Sequence, residues 1–370
     1  MPQAAPQVAI ETPLAARHRA HGAAMGTWFS SSLPDHFTDW LSEYSFLRNS
    51  AALLDKNYRA VLSFTGADRV RYLNALLTNN VRDLQPGQGI ASLLLNPLGH
   101  ILAEIKTLAL PDRILALSHA VVREQLLATF EKFIIMDDVT LADETTAYAS
   151  FEIAGPRAAE IIRELTACDI AALPDLAHVE IPPAKLPFPC RLLRRSNAAL
   201  PSAEFLVPRE HAESCWLSLE KAVRAHGGGP AGYTALNALR LEQGVPWFSY
   251  DFGEKQIPHE AGLQDTHISY SKGCYTGQEI VERVRSRGQV NRLRVGLRFS
   301  VAAPPPPGTP LSVSGKETGH VTSAAFSPLA NCIIGMGYLR REHSTPGALL
   351  DCAGHPAEVI ALPLPSPAQP

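Results

Sequence analysis

Lys272-Gly273-Cys274-Tyr275-Thr276-Gly277-Gln278-Glu279 is the run on which the reading of this 370-residue chain turns. It sets a thiol between a lysine and a tyrosine, in a loop whose two glycines permit backbone geometry that a Cβ would forbid. A cation two residues from a thiol depresses its pKa, and the thiolate is the reactive form. A lone cysteine is also commonly a small buried hydrophobe, so spacing alone leaves Cys274 open between the two readings.

Downstream of the run the character of the chain changes. From Arg292 to Phe299 the residues alternate strictly, with Leu293, Val295, Leu297 and Phe299 on one face and Arg292, Arg294 and Arg298 on the other, as a half-buried strand requires. Further β-like runs surround Leu311, Val321 and Ile333, without a helical pattern, so 290–362 reads as a small all-β domain followed by a proline-rich tail, 363–370. Upstream, Gly66-Ala67-Asp68 caps a helix carrying Val70, Leu73, Leu76 and Leu77 at helical spacing. Strand-like runs follow at 91–95, 101–110 and 114–117, then a helix over about 121–133. Strand signals near Val139 and over 150–153 precede Gly155-Pro156, which opens another helix. After proline-rich 174–189 come a strand at Glu204-Phe205-Leu206-Val207 and helices over about 211–226 and 233–243. Strands and helices alternate irregularly, without a βαβ rhythm, and the class is α+β.

Composition narrows the function. Apolar residues make up 46% and charged residues 19%, enough for buried cores, and no apolar run reaches the length of a bilayer span. A formal charge of −3 gives the whole chain no footprint for nucleic acid, although six arginines and no acidic residue fall between Arg283 and Arg298. Six cysteines without a Cys-x-x-Cys pair supply no zinc or iron–sulfur ligand set, so no metal is expected, and the thiols are expected reduced in a cytoplasmic monomer. Gly87-Gln88-Gly89 lacks the third glycine of a dinucleotide fingerprint, and no phosphate-binding Gly-Lys-Ser loop or Gly-x-Ser-x-Gly elbow occurs. His259-Glu260 lacks the second histidine of a zinc helix.

The octet at 272–279 resembles the signature of the YgfZ family, folate-binding relatives of the glycine-cleavage T-protein that are linked to iron–sulfur cluster assembly and repair. Other motifs resemble the wider T-protein superfamily over about 12–360: Thr12-Pro13-Leu14, His18, His21-Gly22 and Met25 its opening arm, Asp83 with Pro86-Gly87 a loop before the sheet, Leu239-Arg240-Leu241-Glu242 with Gly244 a helix, and Val321-Thr322-Ser323 with Ser327-Pro328 the barrel. The resemblance implies two interwoven α+β subdomains around a central hole over 12–289, a C-terminal β-barrel over 290–362, tetrahydrofolate as cofactor, and an opening arm rather than a cleaved leader. It places Glu204 at the pterin, where a carboxylate accepts paired hydrogen bonds from the ring N–H and amino group. A solvated strand-end glutamate is the plainer alternative.

Two departures from the T-protein pattern bear on activity. The family's Gly-Gly-Ile-Leu-Asp-Asp run is here Gly99-His100-Ile101-Leu102-Ala103-Glu104, and an arginine that precedes the Leu-Arg-Leu-Glu turn is here Leu236. The leading expectation is therefore a YgfZ-type tetrahydrofolate-binding protein in iron–sulfur assembly or repair, with assembly factors or client enzymes as partners. In that reading Cys274 is the functional thiol, Lys272 tunes it, and Tyr275, Gln278 and Glu279 shape the loop. Arg240 and Arg283, with Arg287, are expected to meet the folate. The alternative is a folate-dependent aminomethyltransferase using Glu104 as acid–base group. A second alternative, a module binding RNA or a protein, would use the Arg283–Arg298 surface.

Overall fold

Short β-strands with one apolar face need a second layer to cover them, and this chain supplies it with helices in one unit and by closing a barrel in the other. The computed structural model describes residues 9–197, 200–288 and 290–365. The chain divides into two units: residues up to Ser92 with Ala103–Leu236, and Leu93–Leu102 with the chain from Asn237 onward. The fold is α+β with a closed barrel near the C-terminus, in agreement with the sequence. Among the described residues no helix is long and apolar enough to cross a membrane.

The first unit is organised by a six-stranded sheet in the order His178–Ile181, Cys190–Asn197, Leu200–Pro208, Tyr148–Ala154, Ala52–Asp55, Gly229–Pro230. Helices Ala158–Thr166 and Ala212–Ala225 cover one face of it. Ile161, Ile162, Cys215, Trp216, Leu219 and Val223 recur at helical spacing and pack with Phe151, Phe205 and Ile153 from the strands. A five-stranded sheet runs Gly89–Leu95, Ile101–Ala109, Ile114–His119, Arg59–Thr65, Thr140–Asp143. The opening arm is pinned within this unit: Thr12 donates to Asp55 Oδ2 at 2.6 Å and His18 Nε2 meets the same oxygen at 2.9 Å.

In the second unit, strands Arg292–Phe299, Cys332–Arg340, Lys316–Ser327, Pro310–Val313, Leu349–Cys352 and His355–Ile360 close into a barrel. Val295, Leu297 and Phe299 point into its core with Leu311, Val321, Ile333 and Val359, while Arg298 is exposed and pairs with Glu358. Arg294, on the same outer face, is not simply solvated: it donates to the carbonyls of Ala261 at 2.9 Å and Gly244 at 3.2 Å.

Three local expectations change. Asp68 stands at the N-cap of helix Arg69–Leu76 without capping it, because its carboxylate accepts the backbone N–H of Asp138 at 2.9 Å. Strand Cys190–Asn197 and helix Trp40–Asn49, capped by Asp39 on the Ser42 N–H, are additions. Of the octet's two glycines only Gly277 is demanded by its backbone: its φ is +82°, and a Cβ there would lie 2.7 Å from the Asn96 carbonyl oxygen, whereas a Cβ on Gly273 meets nothing within 4 Å.

Candidate functional site

Glu152 and Glu204 stand directly opposite one another on adjacent antiparallel strands, both fully buried. Like charges facing across a strand pair are destabilising, and a buried carboxylate costs several kcal/mol unless it is paired. The segment after strand Ala52–Asp55 answers both needs. Lys56 Nζ lies 3.1 Å from Glu152 Oε2, while Arg59 grips Glu204 with a two-point fork, Nε to Oε1 at 3.0 Å and Nη2 to Oε2 at 2.9 Å. The Ser150 hydroxyl adds a third bond to Glu204 Oε1 at 2.5 Å. The Tyr58 ring has the Lys56 ammonium 5.3 Å and the Arg59 guanidinium 5.0 Å from its centroid. Burial alone would raise the Glu204 pKa; the charges of Arg59 and Arg195 and the Arg59 hydrogen bonds outweigh it and hold the carboxyl far below the usual range. Arg195 adds charge to this cluster, and its buried Nη1 has no hydrogen-bond partner.

A second constellation in the same unit centres on Glu104. Alternation along strand Ile101–Ala109 puts Glu104 and Lys106 on one face. Lys106 Nζ lies 3.5 Å and His119 Nε2 lies 3.4 Å from the same oxygen, Glu104 Oε2. Burial, aided by the charge of Arg195 and opposed by Glu104, lowers the Lys106 pKa to about 7. Burial likewise takes His119 down to about 4, against its hydrogen bond to Glu104. At neutral pH a carboxylate, a half-protonated amine and a neutral imidazole therefore share one oxygen, a set able to take or supply a proton. Phe29 and Tyr58 stack on each other at 4.2 Å, and the His119 ring packs against both, 5.2 and 5.1 Å away.

The octet belongs to the second unit. Lys272 and Tyr275 are buried, Cys274 and Glu279 exposed. The Lys272 ammonium lies over the Tyr275 ring, 5.0 Å from its centroid, and burial lowers its pKa to about 8. Gln278 Oε1 accepts the Tyr275 N–H at 3.3 Å, closing the turn into helix Gln278–Arg287. Glu279 and Arg283 pair with each other across one helical turn at 2.6 Å, on the exposed face. The side chain of Arg287 lies outside the described residues.

Arg240, expected on the folate, also belongs to the second unit. It is buried against Asp251, donates to Asn237 Oδ1 at 2.9 Å, and packs over Trp247 with its guanidinium 4.6 Å from the ring. Its motif neighbour Glu242 accepts the Ser327 hydroxyl at 2.6 Å. Leu236, in place of the family's arginine, is buried apolar surface.

Sequence reasoning missed Arg59, Lys106 and His119. Lys106 was within reach, two residues beyond Glu104 on an alternating strand; nothing local marks the other two. It also missed a group of possible metal ligands, Glu160, Glu164 and His226, whose ligand atoms lie within 4.8 Å of one another. There Glu160 already pairs with Arg157 through both oxygens, at 2.9 and 3.0 Å.

An α+β unit together with a unit that holds a closed β-barrel defines the class of fold, and comparison with known proteins gives the family. Residues 14–269 match the GCVT N-terminal domain, and residues 292–364 match the Glycine cleavage T-protein C-terminal barrel domain. The mitochondrial aminomethyltransferase of Gallus gallus is 30% identical, over 97% of this chain and 93% of that protein. The aminomethyltransferase of Streptomyces avermitilis is 27% identical, over 95% of this chain and 96% of its own length. The glycine cleavage system aminomethyltransferase T of Bartonella henselae, 22% identical, superposes with a TM-score of 0.84 over 95% of this chain and 97% of that one, and shares the fold. The chain belongs to the glycine cleavage T-protein family.

These relatives overturn the leading expectation from sequence. They carry the name aminomethyltransferase in species as distant as a bird and a streptomycete, and iron–sulfur cluster assembly has no support among them. The octet misled because it is a short run, whereas the likeness to aminomethyltransferases extends over nearly the whole chain.

Proposed function

We propose that this protein is a folate-dependent aminomethyltransferase, moving a one-carbon unit between an aminomethyl carrier and tetrahydrofolate, with Glu104 as its acid–base group. The observation that carries the reading is the convergence of Lys106 and His119 on one oxygen of Glu104. The relatives' name supports it. In this reading Glu104 takes a proton from, or returns it to, the amine involved in transfer. Lys106, with a pKa near 7, exchanges that proton with Glu104, and neutral His119 fixes the carboxylate's orientation. Where the superfamily's run ends in two acids, Ala103-Glu104 leaves one, and the buried lysine two residues on stands in as its proton partner.

The pterin role expected of Glu204 does not fit the residues present. Both carboxylate oxygens are already bonded by Arg59, and one of them by Ser150 as well, so no paired acceptor edge is open to the ring.

The test is an assay of methylene-tetrahydrofolate formation from an aminomethyl-loaded lipoyl carrier. Glu104→Gln keeps the shape and removes the base, and should lower turnover by about 10²–10⁴-fold. Full turnover in Glu104→Gln, or none in the native protein, would overturn the proposal.

A further inference from the structure

The carboxylate of Glu204 is closed by a donor that resembles a pterin. A guanidinium presents two parallel N–H bonds in a plane, and so does the amino–imino edge of a reduced pteridine; one carboxylate cannot accept both forks at once. Arg59 is well held. It is 5% exposed, lies over the Tyr58 ring, and completes its fork at 3.0 and 2.9 Å. It also lines a cavity of about 170 Å³ in the first unit, with Asn57, Ser150, Tyr148 and Leu206. The two side chains bonded to the Glu204 carboxylate, Arg59 and Ser150, thus both line this cavity, and Arg59 is the one that takes both oxygens.

We infer that Arg59 is a specificity-determining residue that occupies the Glu204 carboxylate in the manner of a ligand and keeps it closed to reduced pteridines. The inference rests on the folate reading above and refines it: tetrahydrofolate is held by contacts other than Glu204, and removing Arg59 opens a tighter mode of binding. Lysine at this position would keep the charge but make only a point contact, leaving one carboxylate oxygen available.

The experiment is calorimetric titration with tetrahydrofolate, and with a tetrahydropterin lacking the glutamate tail, of the native protein and of Glu204→Gln, Arg59→Met, Arg59→Lys and Arg59→Met/Glu204→Gln, each checked for cooperative melting. Native protein and Glu204→Gln should bind tetrahydrofolate within about twofold of one another. Arg59→Met should bind both ligands about tenfold or more tighter, Arg59→Lys should fall between, and the double variant should lose the gain. If Arg59→Met does not fold, Arg59→Lys and the Glu204→Gln comparison decide. A tenfold weakening in Glu204→Gln, or unchanged affinity in a folded Arg59 variant, would overturn the inference while leaving the folate reading intact. Absence of tetrahydrofolate binding in every form would overturn both.

Discussion

Among the described residues each unit buries one arginine–carboxylate pair, Arg59 with Glu204 and Arg240 with Asp251, and the two pairs are finished differently. In the second unit Asp251 receives Arg240 and the Trp247 N–H on Oδ2 and the hydroxyls of Thr322 and Ser323 on Oδ1, so helix, loop and barrel strand close on a single carboxylate. In the first unit Glu204 receives Arg59 and Ser150 but stands among further charges, Glu152, Lys56 and Arg195, with Arg59 beside a cavity. The guanidinium pKa values diverge accordingly. Burial lowers that of Arg240 in spite of Asp251, whereas for Arg59 the burial effect is outweighed by Glu204 and its value rises. The same ion pair serves as a fastening where hydroxyls and a backbone amide complete it, and as part of a titratable cluster where charged groups surround it.

The largest effect should come from breaking the fastening. Asp251→Ala strands Arg240 in the interior and takes the acceptor from the Ser323 hydroxyl, while Thr322 keeps the Met336 carbonyl at 3.1 Å, for an expected loss of about 3–5 kcal/mol of stability in chemical denaturation. A loss under about 1 kcal/mol would erase the contrast between the pairs. Next comes the titration of Lys106 in the first unit. Lys106 has a folded pKa of about 7 against its ordinary 10.5, so below pH 7 it is charged in both states and the burial penalty is fully present. Between pH 7 and 10.5 the unfolded chain holds a proton that the folded one has released, and stability rises with pH by at most about 1.4 kcal/mol per unit. Melting from pH 7 to 9 should show a steeper rise for the native protein than for Lys106→Met, which keeps only the smaller rise above about pH 8 that Lys272 contributes. Parallel curves would remove Lys106 from the titrating cluster.

What the sequence made legible follows from the range of the interactions. The barrel could be read from Arg292 to Phe299 because alternation is local, and the helices around Leu73, Ile161 and Trp216 because their apolar period is local too. Strand Cys190–Asn197 escaped notice: Arg191, Arg194, Arg195, Ser196 and Asn197 break its pattern, and its place comes from pairing on both sides with His178–Ile181 and Leu200–Pro208. Glu104 and Glu204 stood out only through likeness to a family. Arg59 did not, because its partner is 145 residues away and becomes its neighbour only when the strands assemble. Arg240 was visible as a motif residue, but its use was not. The complement of Arg240 and Glu242 is written in Thr322, Ser323 and Ser327, so two motifs that looked separate form one fastening.

The octet supplies the smallest and most local contrast. Gly277 has a left-handed backbone, with the Asn96 carbonyl where a side chain would start, so Gly277→Ala meets both an unfavourable φ and a steric conflict. A residue forced into such a region costs about 1–3 kcal/mol, and a melting curve should register it. Cys274 is exposed and stands outside the fastening around Asp251. Cys274→Ser should therefore move stability by no more than about 0.5 kcal/mol. It should leave transferase turnover unchanged as well, since the acid–base set proposed for transfer consists of Glu104, Lys106 and His119. A drop in turnover for Cys274→Ser without a drop in melting temperature would show that the thiol takes part in the chemistry, and the site would then have to be redrawn to include the loop that Gly277 shapes.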